Sequence, residues 1–373
     1  MPALPPFASQ LCLSMIVKNE AHVIARCIAS VRPAIGAWAI VDTGSTDGTQ
    51  AKIRELLADL PGELIERPWV DFATNRNQAL ELSRAHGDYA LIIDADEIIE
   101  IDENTRFPAR LDGAGYWLRQ RIGDGGFEYH SAKLLRHDTP WRWCGVLHEY
   151  PAAQPQPHMQ LLDGLRVRSF PDGARSQRPQ REKFLADAEV LENALRTEPD
   201  NARYQFYLAQ SLRDAGENAR AVDAYRRRIA LGGWEEETWY SHFQVGVLLE
   251  RLGAGDAAII DAYLAAWDAR PTRAEPLCEL ARYLRGRGRY ASAYVHARAA
   301  AELPSPADLL FVDLAVYRWR ARDEQAISAY YIGRAKECAA LSDALLADPA
   351  LPASERARVT ANARFGHDGA AKA

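Results

Sequence analysis

Between Leu11 and Ile93 short apolar runs alternate with longer amphipathic ones, and few architectures accept that pattern. LCLSMIV, WAIV, LIE and YALII have the length and branched apolar content of strands, whereas residues 21–31, 48–60 and 72–83 have helical spacing. Strands that alternate with helices of this length imply crossover connections and a parallel sheet covered on both faces. The first half therefore reads as α/β. Beyond Asp96 the pattern loosens into segments rich in glycine and aromatics (GYWLRQ, FEYHSAKLLR, WRWCGVLHEY), expected as mixed strands and loops. The run FPDGARSQRP gathers turn residues ahead of a wholly helical stretch. For a chain of 373 residues this sets two expected domains, 1–172 and 199–373, joined by a linker and lead-in helix over 173–198.

The second half repeats itself. Gly216, Gly253 and Gly288 placed in register give spacings of 37 and 35 residues, close to the roughly 34 of a tetratricopeptide repeat. Leu208, Val245 and Leu280 then share one position, Ala209, Gly246 and Ala281 the next, and Leu212, Leu249 and Leu284 follow. Ala221, Ala258 and Ala293 occupy the small position of the second helix, where two helices approach closely. A fourth, weaker copy centres on Gly333, with Cys338 in the small position and Pro349 closing it. A solenoid of helical hairpins follows, because each pair buries its apolar face only against its neighbours.

Composition removes other classes. With 48% hydrophobic and 26% charged residues the chain is neither a disordered tail nor a collagen-like protein. No apolar run approaches the roughly 20 residues that span a bilayer, and MPALPPFASQ has neither a basic region nor an apolar signal core, so a cytoplasmic protein with no transmembrane segment is expected. A net charge of −6 argues against a nucleic-acid partner. Five scattered cysteines suggest neither a zinc site nor a disulfide framework.

Open parallel sheets bind ligands beyond the carboxyl ends of their strands. There the sequence places Lys18-Asn19-Glu20, the loop Asp42-Thr43-Gly44-Ser45-Thr46-Asp47-Gly48-Thr49, and Asp94-Ala95-Asp96-Glu97. Asp94 and Asp96, two residues apart after a buried strand, are expected to point the same way and to share a hard cation such as Mg²⁺ or Mn²⁺, which bridges to phosphates. The same pair also suits an acidic strand end satisfied by amides and water. Neither a GxxxxGK[ST] loop nor a GxGxxG after the first strand is present, so a nucleotide would be held by another device.

LCLSMIVKNE, AIVDTGSTDGT, NRNQALELSRAHGDY and LIIDADE, in that order and spacing, resemble the nucleotide-sugar half of the family 2 glycosyltransferases over roughly residues 11–150. With its repeats the whole chain is similar to bacterial and phage repeat-containing glycosyltransferases, a group similar to the sublancin-type S-glycosyltransferases. The resemblance implies an α/β GT-A (Rossmann-like) nucleotide-sugar domain followed by an all-α tetratricopeptide-repeat solenoid. It also implies a nucleotide-sugar donor, a UDP-hexose, and Mn²⁺ or Mg²⁺ held by Asp94 and Asp96, with Asp96 the direct ligand. Asp42 maps onto the family aspartate that contacts the nucleoside, and Thr43 stands where a second aspartate is commoner. Lys18, Asn19, Arg76 and Asn77 fall where the donor is reached; Arg76 and Asn77 equally suit a helix surface and its capping.

Sugar transfer with inversion needs a base for the acceptor proton. The Glu-Asp pair that many family members carry at a helix start is absent here, and WRWCGVLHEY resembles the GVxHE segment of the repeat-containing relatives. His148 is accordingly a candidate third metal or diphosphate ligand and Glu149 the candidate base, with Glu128 next in line; a structural histidine and a surface acid are the plain alternative. Trp141 and Trp143 can stack on a sugar or fill a core, and Lys133 and Arg136 can neutralise a diphosphate or end a strand in solvent. The acceptor is a peptide, a protein or a saccharide, and the repeats serve either to select it or to form a homodimer. A nucleotidyltransferase and a noncatalytic repeat adaptor are the rival functions.

Overall fold

The computed structural model describes residues 5–102, 104–122, 128–174, 179–308 and 310–372. Its contacts divide the chain into two units, residues 1–197 and 198–373.

The first unit is built on an eight-stranded sheet in the order β3-β2-β1-β4-β7-β6-β10-β5. β1 (Leu11–Val17), β2 (Ala37–Asp42), β3 (Gly62–Glu66) and β4 (Tyr89–Ile92) are mutually parallel, joined by α1 (Ile24–Val31), α2 (Thr49–Leu56) and α3 (Phe72–Ser83). This part is Rossmann-like. The sheet as a whole is mixed, parallel over the first four strands and mixed beyond Asp96 as the sequence pattern implies. β5 (Glu97–Ile101) pairs antiparallel to β10 (Gln160–Ser169), and β7 (Glu128–Arg136) lies antiparallel to both β4 and β6 (Gly115–Ile122). A small hairpin of β8 (Arg142–Cys144) and β9 (Tyr150–Ala152) stands apart from the sheet.

β1 reads as an unbroken apolar run because both of its faces are covered. Leu11, Leu13, Met15 and Val17 join Ile24, Cys27, Ile28 and Val31 of α1 in one core. On the opposite face Cys12 packs with Ala37, Ala39 and Leu82, while Trp141 and Trp143 pack with Ala73, Leu80 and Ile92. Both tryptophans are thus core residues, and the indole N–H of Trp141 donates to the Ala114 carbonyl at 3.0 Å. α4 (Gln180–Thr197) closes this unit in sequence.

The second unit is all-α. α5 (Ala202–Asp214) pairs with α6 (Asn218–Leu231), α7 (Glu235–Arg251) with α8 (Asp256–Ala269), α9 (Glu275–Gly286) with α10 (Tyr290–Glu302), and α11 (Ala321–Tyr331) with α12 (Ala335–Ala347), followed by α13 (Ala353–Lys372). Gly216, Gly253, Gly288 and Gly333 turn the four hairpins with φ between +67° and +81°, a region that costs side-chain-bearing residues. The repeat register holds with one slip. Ala221, Ala293 and Cys338 are buried at the small position, yet Ala258 is exposed and Ile259 takes its place. The α7–α8 turn carries one more residue, so α8 starts three residues after its glycine instead of two. Close approach is supplied there by Gly246, where a Cβ would lie 2.8 Å from the Tyr263 ring.

The fourth copy follows at 45 residues because residues 303–308 and 310–313 are non-helical and precede a helical segment with a π-helical turn at Val316–Arg320. Arg273, fully buried with its guanidinium 3.6 Å above the Trp239 ring, fastens that non-helical stretch by donating to Glu275, Asp308 and the carbonyls of Leu310 and Phe311.

Candidate active site

β1, β2 and β4 run parallel, so the segments that follow them emerge at one sheet edge. The first two are laced together. Asn19, in the left-handed region at φ +58°, donates its amide to Ser45 Oγ at 2.9 Å and accepts from the Thr46 amide at 2.8 Å. The Glu20 amide donates to Thr49 Oγ1 and that of Ala21 to Asp47 Oδ2. Asn19 therefore shapes the loop, while Lys18 stands exposed at the strand end.

Asp42 is completely buried at the end of β2. Its Oδ1 accepts from the amides of Gly44 and Ser45 at 2.9 and 2.8 Å and from Gln50 Nε2 at 3.1 Å; its Oδ2 has no partner among the described residues. An unpartnered buried carboxylate oxygen is costly and points to a missing donor. Thr43 turns back, with its hydroxyl donating to the Val17 carbonyl.

β4 ends at Ile92, and Asp94 to Glu97 form a tight turn closed by the Glu97 amide on the Asp94 carbonyl at 3.0 Å. A turn, and not the alternation of a strand, therefore carries Asp94 and Asp96. Asp94 accepts from Arg76 Nη2 on both oxygens, at 2.8 and 3.0 Å; burial raises its pKa, but the guanidinium beside it brings the net value below the usual carboxylate range. Asp96 has no hydrogen-bond or ion-pair partner among the described residues, and burial, with Asp94, Glu97 and Glu20 nearby, pushes it from 3.8 to about 7. Two neighbouring carboxylates driven in opposite directions mark a functional edge better than their spacing does.

Glu97, beneath them, is neutralised by Lys133, with Nζ at 2.7 Å and both side chains buried. Lys133 is thereby removed from the diphosphate role that the sequence allowed. Arg136 leaves it as well: it pairs in register with Tyr89 at the opposite end of β4 and is held by Asp138 and the Asp112 carbonyl.

α3 brings the remaining groups. Arg76, 11% exposed, donates Nε to Glu149 at 2.5 Å, so it spans Glu149 and Asp94. Asn77 faces the β8 backbone, donating to the Trp143 carbonyl at 2.9 Å and accepting its amide at 2.8 Å. Glu149 is 12% exposed at the end of the β8–β9 turn, where Gly145 and His148 both adopt positive φ. His148 is exposed. Among the described residues no three His, Cys, Asp or Glu side chains form a group able to hold a metal, so Asp94, Asp96 and His148 do not stand as a ready-made triad. The Glu128 side chain lies outside the described residues.

A strap after β10, unread in the sequence beyond its turn character, completes the edge. Asp172 is paired with Arg26 at 2.7 and 2.8 Å, Phe170 lies under the same guanidinium, and the Ala174 amide donates to Glu20. Gly173, between them, is so close to Asp96 that a Cβ would lie 2.8 Å from Oδ2. Gly173→Ala is expected to displace the carboxylate, with a stability loss of about 1–2 kcal/mol from overpacking, read by equilibrium unfolding; unchanged stability would detach the strap from Asp96.

The mixed Rossmann-like sheet with an acidic turn at its edge is the fold class of a GT-A domain. Residues 12–155 match the model of the family described as Glycosyl transferase family 2. A TPR repeat-containing protein of Synechococcus elongatus is 28% identical over 308 residues, 78% of this chain and 75% of that protein. An uncharacterized glycosyltransferase of Rickettsia felis is 39% identical over 83 residues, 22% of this chain and 27% of that protein. Among solved structures, BtubC from P. vanneervenii aligns at 12% identity and a TM-score of 0.40, covering 54% of this chain and 85% of that one. YrrB, described as a TPR protein with an unusual peptide-binding site, aligns at 11% identity and a TM-score of 0.35, covering 52% and 85%. No helix among the described residues is long and apolar enough to cross a membrane.

Proposed function

We propose that this protein is a metal-dependent inverting glycosyltransferase that moves a hexose from a UDP-sugar to a peptide or protein acceptor. The observation that carries the reading is Asp96, a carboxylate beside Asp94 at the sheet edge that has no ion-pair partner among the described residues. Among the described residues Glu20, Asp94 and Glu97 act on Asp96, and Glu149 is tied to Asp94 through Arg76; the Arg76 guanidinium pairs with Asp94 and Glu149, and Arg26 is engaged by Asp172. A diphosphate is repelled by such carboxylates, so hard oxygen donors of this kind would suit Mn²⁺ or Mg²⁺, which would offset the diphosphate charge. Asp96 would be its principal protein ligand, and Asp94, already engaged by Arg76, the lesser one. When bound, the cation stabilises the charge of the departing diphosphate.

The chain's own residues supply the rest. Asp42 Oδ2 accepts an N–H of the nucleobase, and the laced 42–49 loop fixes the nucleoside. Arg76 Nε holds Glu149 Oε1, which leaves Oε2 to take the proton of the acceptor as its nucleophilic atom bonds to the anomeric carbon opposite the breaking C–O bond. The array of helical hairpins presents an extended row of side chains suited to a peptide. Five free cysteines, four of them buried, accord with a reducing cytoplasmic setting.

Incubation with Mn²⁺ and a panel of nucleotide sugars is expected to release nucleoside diphosphate from a UDP-hexose. Release of pyrophosphate would instead indicate nucleotidyl transfer, and no release from any donor would overturn the reading. Glu149→Gln is expected to keep donor and metal affinity while transfer falls by about 10² to 10⁴; full transfer in that variant would move the base elsewhere.

A further inference from the structure

We propose that Arg76 is the positioning residue of this site, tying the donor-side carboxylate Asp94 to the acceptor-side carboxylate Glu149 through one guanidinium and withholding Asp94 from the cation. The assignment of Glu149 rests on the function proposed above; the effect on the cation does not. Asn75, Arg76 and Asn77 are fixed one by one. Asn75, fully buried, accepts from the Val70 amide and donates to the Pro68 carbonyl, which pins the loop before α3. Asn77 clamps β8 by both hydrogen bonds of one peptide position. Arg76 is stretched between these anchors, with its guanidinium carbon 5.3 Å from the Trp143 ring. Helix and hairpin thereby fix where the fork starts, and the fork fixes where two carboxylates end.

Asp94 and Glu149 are 55 residues apart in sequence and would repel each other if nothing stood between them. The planar fork presents Nε to one and Nη2 to the other, a geometry that an ammonium cannot reproduce. Because Nη2 engages both oxygens of Asp94, an incoming cation must compete with an arginine for that residue. Asp96 has no such competitor among the described residues. Removal of Arg76 therefore has consequences of opposite sign: the cation gains a ligand and a more negative site, while Glu149 loses its fixed orientation. General disruption of the site would weaken both functions together.

The full-length protein and its Arg76→Gln, Arg76→Lys, Glu149→Gln and Arg76→Gln/Glu149→Gln variants are titrated with Mn²⁺ alone by calorimetry and assayed for transfer across pH. Arg76→Gln is expected to bind Mn²⁺ about 10-fold more tightly than the wild type, because one positive neighbour is lost. Arg76→Lys, which keeps the charge, should stay within about threefold. Transfer is expected to fall about 10²-fold in kcat in both Arg76 variants, with a displaced pH profile. The double variant should be no slower than Glu149→Gln, since the two residues act as a unit. Weaker or unchanged Mn²⁺ binding in Arg76→Gln overturns the proposal, as does full transfer in Arg76→Lys or an additive double variant. If Arg76→Gln does not fold, Arg76→Lys decides through its kcat and pH profile. If the wild type turns over no donor, the glycosyltransferase reading fails, and the Mn²⁺ titration still decides whether Arg76 withholds Asp94.

Discussion

Asp96→Asn is expected to abolish donor turnover while making the metal-free protein more stable at pH 8. The substitution is nearly isosteric, which matters because Gly173 leaves no room beside Oδ2. On the proposed function the substitution would remove the principal cation ligand and with it the stabilisation of the leaving diphosphate, so turnover should drop by at least about 10³. The stability gain follows from the unusual proton affinity of Asp96. Its folded-state pKa, about 7, lies above the ordinary 3.8, so the folded protein holds a proton that the unfolded chain has released over that range. The contribution of Asp96 to stability is therefore lost as pH rises from about 4 to about 7. Above pH 7 a charged Asp96 opposes folding by about 2–4 kcal/mol after allowance for solvent screening, and asparagine removes that opposition. Melting curves in chelator should separate variant from wild type at pH 8 and converge toward pH 4. A variant that retains cation-dependent UDP affinity would contradict the ligand role; one that is less stable at pH 8 would contradict the charge accounting.

Lys133→Met is expected to cost about 3–5 kcal/mol, a large share of the stability of an ordinary domain. Lys133 and Glu97 are both about 5% exposed, and Glu97 also accepts from Gln120 Nε2 at 2.5 Å, Ser169 Oγ at 3.1 Å and the Asp94 amide at 3.0 Å. Removal of the lysine leaves a buried charge that these neutral donors only partly satisfy. Because Glu97 holds the Asp94 amide, the acidic turn should loosen and Mn²⁺–UDP affinity fall alongside stability. Lys133→Met combined with Glu97→Gln should recover most of the lost stability, since no unpaired charge then remains. Equilibrium unfolding of the three proteins decides the matter, and a Lys133→Met protein within about 1 kcal/mol of wild type would show that the pair contributes little.

These two predictions concern residues of different legibility. Asp96 stands out in LIIDADE, because an acidic cluster directly after a buried strand is a local pattern. Lys133 reads in sequence as any strand lysine; its burial depends on β7 lying antiparallel to β4, between β4 and β6, a pairing set by the whole sheet. Trp141 and Trp143 carry the same lesson, since only packing against α3 separates a core tryptophan from one that stacks on a sugar. The repeat register shows the limit from the other side. Its glycines are visible because each occupies a left-handed turn, yet the one-residue slip in α8 is decided by where that helix begins.

The sequence by itself determined what depends on neighbours a few residues away. The alternation of apolar runs placed four parallel strands and three helices, the turn residues marked the loops at the sheet edge, and recurrent glycines marked the helical hairpins. These features are local because hydrophobic period and backbone conformation are properties of short segments. Only the tertiary structure decided the electrostatics of the site. The bond from Arg76 to Glu149 spans 73 residues, that from Arg26 to Asp172 spans 146, and the pairing of Lys133 with Glu97 spans 36. Charge acts through space, so the distinction between Asp94, paired with Arg76, and Asp96, without an ion-pair partner among the described residues, two residues apart in the chain, exists only once the chain is folded.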